Sequence, residues 1–127
     1  MWNKLKTLFL ATALLLSFTM VPLAASADSS YNKTIQPGEK VKLAEEPIWL
    51  GTTVKGTQTP VYSTGNSGVQ YIVQNNNGTI IGQQTVYNFN VNVGIDTKAL
   101  GVTLSLWGKN IYSGAKDAIK VIGTWFD

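Results

Sequence analysis

The feature that most constrains this chain is alternation. Tyr87, Phe89, Val91, Val93 and Ile95 fall on one parity, and Asn88, Asn90 and Asn92 fall on the other. Successive side chains of an extended strand point to opposite faces. Such a segment is expected to bury its apolar side, Phe89 included, and to wet the other, as antiparallel sheets permit. Val102, Leu104 and Leu106 repeat the theme against Thr103 and Ser105, as do Val41 and Leu43 against Lys40 and Lys42. A helical stripe is almost absent. Only residues 113–118 could hold a helical turn, and Lys116 stands where a capping box wants an acid.

Turn chemistry cuts the alternating runs into short strands. Gln36-Pro37-Gly38-Glu39 fits a type II turn, with proline fixing φ at the second position and glycine supplying positive φ at the third. The runs 31–35 and 40–43 around it read as a hairpin. Residues 48–54 read as the next strand, entered through Pro47, and 59–63 as a short peripheral one marked by Pro60. Asn75-Asn76-Asn77-Gly78 is expected to join strands over 69–74 and 79–85, because Asn-Gly is the strongest short hairpin signal. The run 119–126 is apolar on both faces and reads as a central strand. Seven or eight such strands predict an all-β fold: a small antiparallel β-sandwich, with a small β-barrel as the alternative.

The N-terminal residues follow a different logic. Lys4 and Lys6 precede an apolar run over 8–21 that no charge breaks, and Ala25-Ser26-Ala27 stands just before the first acid, Asp28. A positive start, a short apolar middle and an A-x-A exit make a secretory signal peptide, too short and wrongly flanked for a stable span. The expected organisation is a leader over 1–27, cleaved after Ala27, and one all-β domain over 28–127. That length suffices for one core and is too short for two. The lysine-rich leader leans toward a Gram-positive exporter, so the expected location is outside the cell or on its surface.

Composition then removes whole classes of chemistry. The leader holds two of the ten lysines and no acid, so the mature domain sets eight lysines against seven acids, a net charge of +1. There is no arginine, which argues against nucleic-acid binding. Without cysteine the domain folds on burial and hydrogen bonding alone. Without histidine or cysteine there is no Ser-His-Asp triad, no thiol nucleophile and no zinc site of the His/Cys type. Glu45 and Glu46 are adjacent acids, but neighbours on a strand face opposite ways and cannot flank one glycosidic bond. Asn88, Asn90 and Asn92 alternate like calcium ligands, yet no nearby acid completes a loop. No enzyme activity, cofactor or metal is expected.

What remains is surface. From Gly56 to Ile95 forty consecutive residues carry no formal charge, only amides, hydroxyls and glycine between apolar positions. Three readings of that stretch stay open: hydrogen bonding to neutral sugars, self-association through amide ladders, and membrane insertion as an alternating strand pair. Trp49 and Trp125 read as core. Trp107 shares parity with Thr103 and Ser105, which puts it on the polar face or in the following loop, with Tyr112 beyond it. The candidate binding residues are therefore Trp107, Tyr112, Asn88, Asn90 and Asn92. The expected function is a secreted, non-catalytic binding protein of the cell envelope or matrix, its partner a glycan or protein. The alternative is a secreted antimicrobial or cytolytic antagonist working at a target membrane through strands in 69–95. N-terminal sequencing of exported protein is expected to begin Asp28-Ser29-Ser30; retention of the leader would refute the assignment.

Overall fold

Among the described residues the alternation resolves into eight strands. They are β1 (Asp28–Ile35), β2 (Lys40–Ile48), β3 (Gly51–Pro60), β4 (Val69–Gln74), β5 (Ile80–Val86), β6 (Asn90–Asp96), β7 (Val102–Asn110) and β8 (Ile119–Phe126). The computed structural model describes residues 28–48, 51–97 and 102–126. Residues 1–27, the expected leader with Ala25 and Ala27 of its exit, and Trp49 lie outside the described residues. Two four-stranded sheets pack together, ordered β1-β8-β3-β6 and β2-β7-β4-β5, and every neighbouring pair is antiparallel. Each sheet keeps two open edges, so the fold is a sandwich and not a closed barrel.

At one end of the sandwich four connections, over 36–39, 61–68, 87–89 and 111–118, each carry the chain from one sheet to the other. This corrects the expected hairpin between residues 31 and 43. The turn forms as its chemistry demands, with Gly38 at φ 73° and Glu39 N donating to Gln36 O at 3.0 Å. Its arms, however, pair elsewhere, β1 with β8 and β2 with β7, because each must turn its apolar face into the space between the layers. The Asn-Gly hairpin between β4 and β5 does form. Asn75 Oδ1 accepts from the backbone of Asn77 and Thr79, and Gly78 takes φ 84°. Residues 113–118 adopt turns without helix, organised by the Asp117 carboxylate, which accepts from Gly114 N and from Asn66 N and Nδ2. β8 is central, and Trp125 is fully buried, as its position implied.

The core is tyrosine-rich in its middle. Tyr31 is the register partner of Gly123, and Gly123 in turn faces Gly56 on β3. A Cβ on Gly123 would come within 2.6 Å of the Tyr31 hydroxyl, and one on Gly56 within 2.1 Å of the Ile122 carbonyl oxygen. The absent side chains are therefore the space that Tyr31 and the close backbones occupy. Across the core, Tyr71 Oη donates to Gln58 Oε1 at 2.8 Å, and Gln58 Nε2 donates to Val86 O and Ser67 Oγ. Burial pushes Tyr31 from 10 up to about 12, partly offset by the nearby Tyr71 hydroxyl. Burial, and then the proximity of Tyr31, raise Tyr71 as well.

Two further expectations fail. Thr59 and Pro60 end β3, an inner strand, and form no separate peripheral strand over 59–63. Phe89 has inward parity but is 60% exposed, because β6 begins only at Asn90 and residue 89 stands past the rim of the opposing sheet. Ile95→Ala is thus expected to cost about 2–5 kcal/mol as a buried deletion, while Phe89→Ala leaves stability within about 0.5 kcal/mol; chemical denaturation measures both. A second expectation concerns alkali. Between pH 10 and about 12 the unfolded chain has lost the Tyr31 proton that the folded chain keeps, so it binds fewer protons and stability falls as pH rises. Tyr31→Phe should flatten that decline in denaturation curves taken across the window, at little cost near neutrality.

Candidate functional site

The outer face of the β2-β7-β4-β5 sheet carries the site residue that parity singled out. Trp107 sits in mid-β7 with Lys42 as its partner on β2 and Ile72 as its partner on β4, and Ile72 faces Gln83 on β5. The indole is half-buried on the outward face, as its shared parity with Thr103 and Ser105 required, and it does not plug the open end of the sandwich. Ile72 also points outward yet is only 3% exposed, so the side chains around it, Trp107 among them, roof it over.

Two contacts hold the ring. Its Nε1–H donates to Ser105 Oγ at 2.9 Å, and Ser105 Oγ donates to the Gln74 carbonyl at 3.3 Å. The Lys40 ammonium lies 5.3 Å from the ring centroid and donates to Gln74 Oε1 at 2.9 Å, so a cation sits over one π face. Such a contact contributes about 0.5–1 kcal/mol at an exposed site. Lys42 is committed to Glu45 in an ion pair. The result is a shelf with an indole in the middle, its polar N–H already satisfied, and the amides of Gln74 and Gln83 and the Lys40 ammonium around it. It offers an aromatic surface and directional hydrogen bonds.

The other predicted binding residues do not join this shelf. Tyr112 lies in the 111–118 connection, its ring against Gly68, its N–H on Asn110 Oδ1 and its carbonyl accepting from Gly38 N. Three extended residues, roughly 10 Å of strand, already separate Trp107 from Asn110. Asn88 is exposed in the 87–89 connection, and Asn90 and Asn92 are exposed on β6, the edge of the opposite sheet. Their outward direction follows the parity; their sheet does not. Sequence reasoning missed Lys40, Ile72, Gln74 and Gln83, whose outward parity could be read along each strand but whose convergence depends on strand order.

The acids are dispersed. Glu45 faces outward to Lys42, while Glu46 accepts from Ser29 Oγ across the two sheets, so the adjacent pair splits between faces as strand geometry dictates. Asp117 is buried and committed to loop backbone. Among the described residues no group of three or more acids could hold a metal ion, and no helix is long and apolar enough to cross a membrane.

No family model matches this chain, and no curated protein matches it. Among solved structures it is similar to an arabinose-bound α-L-arabinofuranosidase (MgGH51), with a TM-score of 0.50 at 12% identity. The match covers 85% of this chain and 24% of that one. At that identity the likeness is one of fold alone.

Proposed function

We propose that this protein is exported and acts outside the cell as a non-catalytic binding module, with the Trp107 shelf as its site and a glycan of the envelope or matrix as its ligand. The observation that carries this reading is the state of the indole. Its only donor is satisfied by Ser105, so a ligand that covers the half-buried ring strands no N–H, and Lys40, over one π face, would swing aside for a sugar stacked there. Sugars offer C–H faces to such a ring and hydroxyls to surrounding amides, which Gln74 and Gln83 supply. The scattered acids and the lack of histidine and cysteine support a role without catalysis.

The membrane-antagonist alternative, working through strands in 69–95, would call for a rearrangement of this fold. Val69, Tyr71 and Val73 of β4 and Val91 and Ile95 of β6 are core residues, on strands that belong to different sheets. Inserting 69–95 as a strand pair would require opening the sandwich.

Purified protein is expected to sediment with insoluble cell-wall or polysaccharide material, and added salt should weaken that retention little, because stacking and hydrogen bonds to neutral sugars are not screened. Trp107→Ala should weaken it roughly tenfold or more, the size of an interface hot spot. The variant should stay folded by near-UV circular dichroism, in contrast to Trp125→Ala, which should cost about 3–5 kcal/mol. Undiminished retention in folded Trp107→Ala protein would refute the site.

A further inference from the structure

The end of the sandwich where the chain crosses between sheets has a second, separate character. The 61–68 and 87–89 connections are neighbours there, since β3 pairs with β6 and Gln58 N donates to Phe89 O. Between them they expose Val61, Tyr62, Tyr87 and Phe89, at 51, 49, 60 and 60%. Large apolar side chains this open are uncommon as a cluster on a monomer and mark a contact surface.

Charge is sorted along the same axis. Lys33 stands two residues from the end of β1, Lys40 at the start of β2, Lys109 one residue from the end of β7 and Lys120 second in β8, with Lys116 in the 111–118 connection. All five are exposed, and none forms an ion pair with a described residue. Lys120 lies on the outer face of one sheet, Lys40 and Lys109 on that of the other, and Lys33 on the β1 edge, so they ring the loops. Lys40 and Lys109 are even direct register partners, an arrangement that costs sheet stability. The acids at this end, Glu39 and Asp117, both accept from loop backbone, Glu39 from Gln36 N. Asp28, Glu45, Glu46 and Asp96 lie toward the opposite end.

The loops are also tied to one another. Val61 N donates to Ala118 O, Ile111 N to Gly68 O and Gly65 N to Tyr62 O, while Asp117 takes the Asn66 and Gly114 N–H groups. These bonds hold the exposed side chains on a fixed frame.

We propose that this loop end docks on the surface of an anionic lipid bilayer. Val61, Tyr62, Tyr87 and Phe89 enter the headgroup boundary and the lysine collar meets lipid phosphates, the two signals that reversible membrane attachment requires. This surface meets the Trp107 shelf only at Lys40, which borders both. The uncharged loops supply depth, and the collar supplies preference for negative headgroups.

The test is co-sedimentation of the purified protein with phosphatidylglycerol/phosphatidylcholine vesicles and with phosphatidylcholine vesicles alone. Binding should be confined to the anionic vesicles and weaken with salt. Replacing Tyr87 and Phe89 together by serine should weaken it more than tenfold, as should Lys109→Gln, Lys116→Gln and Lys120→Gln combined, while both variants keep the fold and the polysaccharide retention that depends on Trp107. Phe89→Trp should report directly, its emission shifting to the blue and losing acrylamide quenching on anionic vesicles. Three outcomes overturn the proposal: no binding to anionic vesicles, equal binding to neutral ones, or full binding by the Tyr87/Phe89 serine variant. Binding of soluble polyphosphate as tight as vesicle binding, and unaffected by the aromatic substitutions, would reassign the collar to a soluble polyanion.

Discussion

Gln58 is where this structure is tied together. Its amide is fully buried, and it links three parts of the fold: Tyr71 on the facing sheet, the Val86 carbonyl at the end of β5, and Ser67 in a crossing connection. A buried amide must find partners or cost its full desolvation, so these bonds specify one arrangement of the two sheets more sharply than apolar packing does. The same strand position also fixes the rim, since the Gln58 N–H holds Phe89 O and thereby the 87–89 connection. Depth in the core and shape at the loop end have a common anchor.

With no disulfide available, the sheets rely on close approach. The Gly56–Gly123 pair leaves no room for side chains between β3 and β8, and Tyr31 fills the gap from the neighbouring edge strand. That fit makes β1 more than a marginal edge. Its remaining liability is managed by Lys33, which has inward parity yet stays exposed at the sheet border, a charge placed where strand addition would begin. Ser29 and Glu46 bond across from β1 to β2 on the same side of the sandwich.

Much of this was legible in the sequence, and the limits have a physical cause. Parity gives the face of a residue within its strand, which is why the outward placement of Trp107 and the split of Glu45 from Glu46 could be read without coordinates. Parity does not give the sheet. Asn90, Asn92 and Trp107 all point outward, but in opposite directions, because β6 and β7 belong to different layers. Nor does it give the rim. Tyr87 and Phe89 continue the alternation of Val91 and Ile95, and nothing in the residues says that the opposing sheet ends before them. Turn chemistry has a similar bound: Pro37-Gly38 specifies a reversal of the chain, not that the arms hydrogen-bond. The lysine collar gathers from four strands and a loop, so it appears only once those are folded.

The two surfaces share a geometry that makes them compatible. With the loop end on a bilayer, the sheets stand on their ends and the Trp107 shelf faces sideways, roughly 10 Å of β7 above the loop base. A polymer running beside the membrane would meet the shelf without displacing the loops. Lys40 belongs to both surfaces, standing in the collar while its ammonium rests on the indole and Gln74. One ammonium cannot hold both positions. A lipid phosphate that drew it downward would uncover a face of Trp107 and release Gln74 Oε1, and a sugar stacked on the ring would press Lys40 toward the collar.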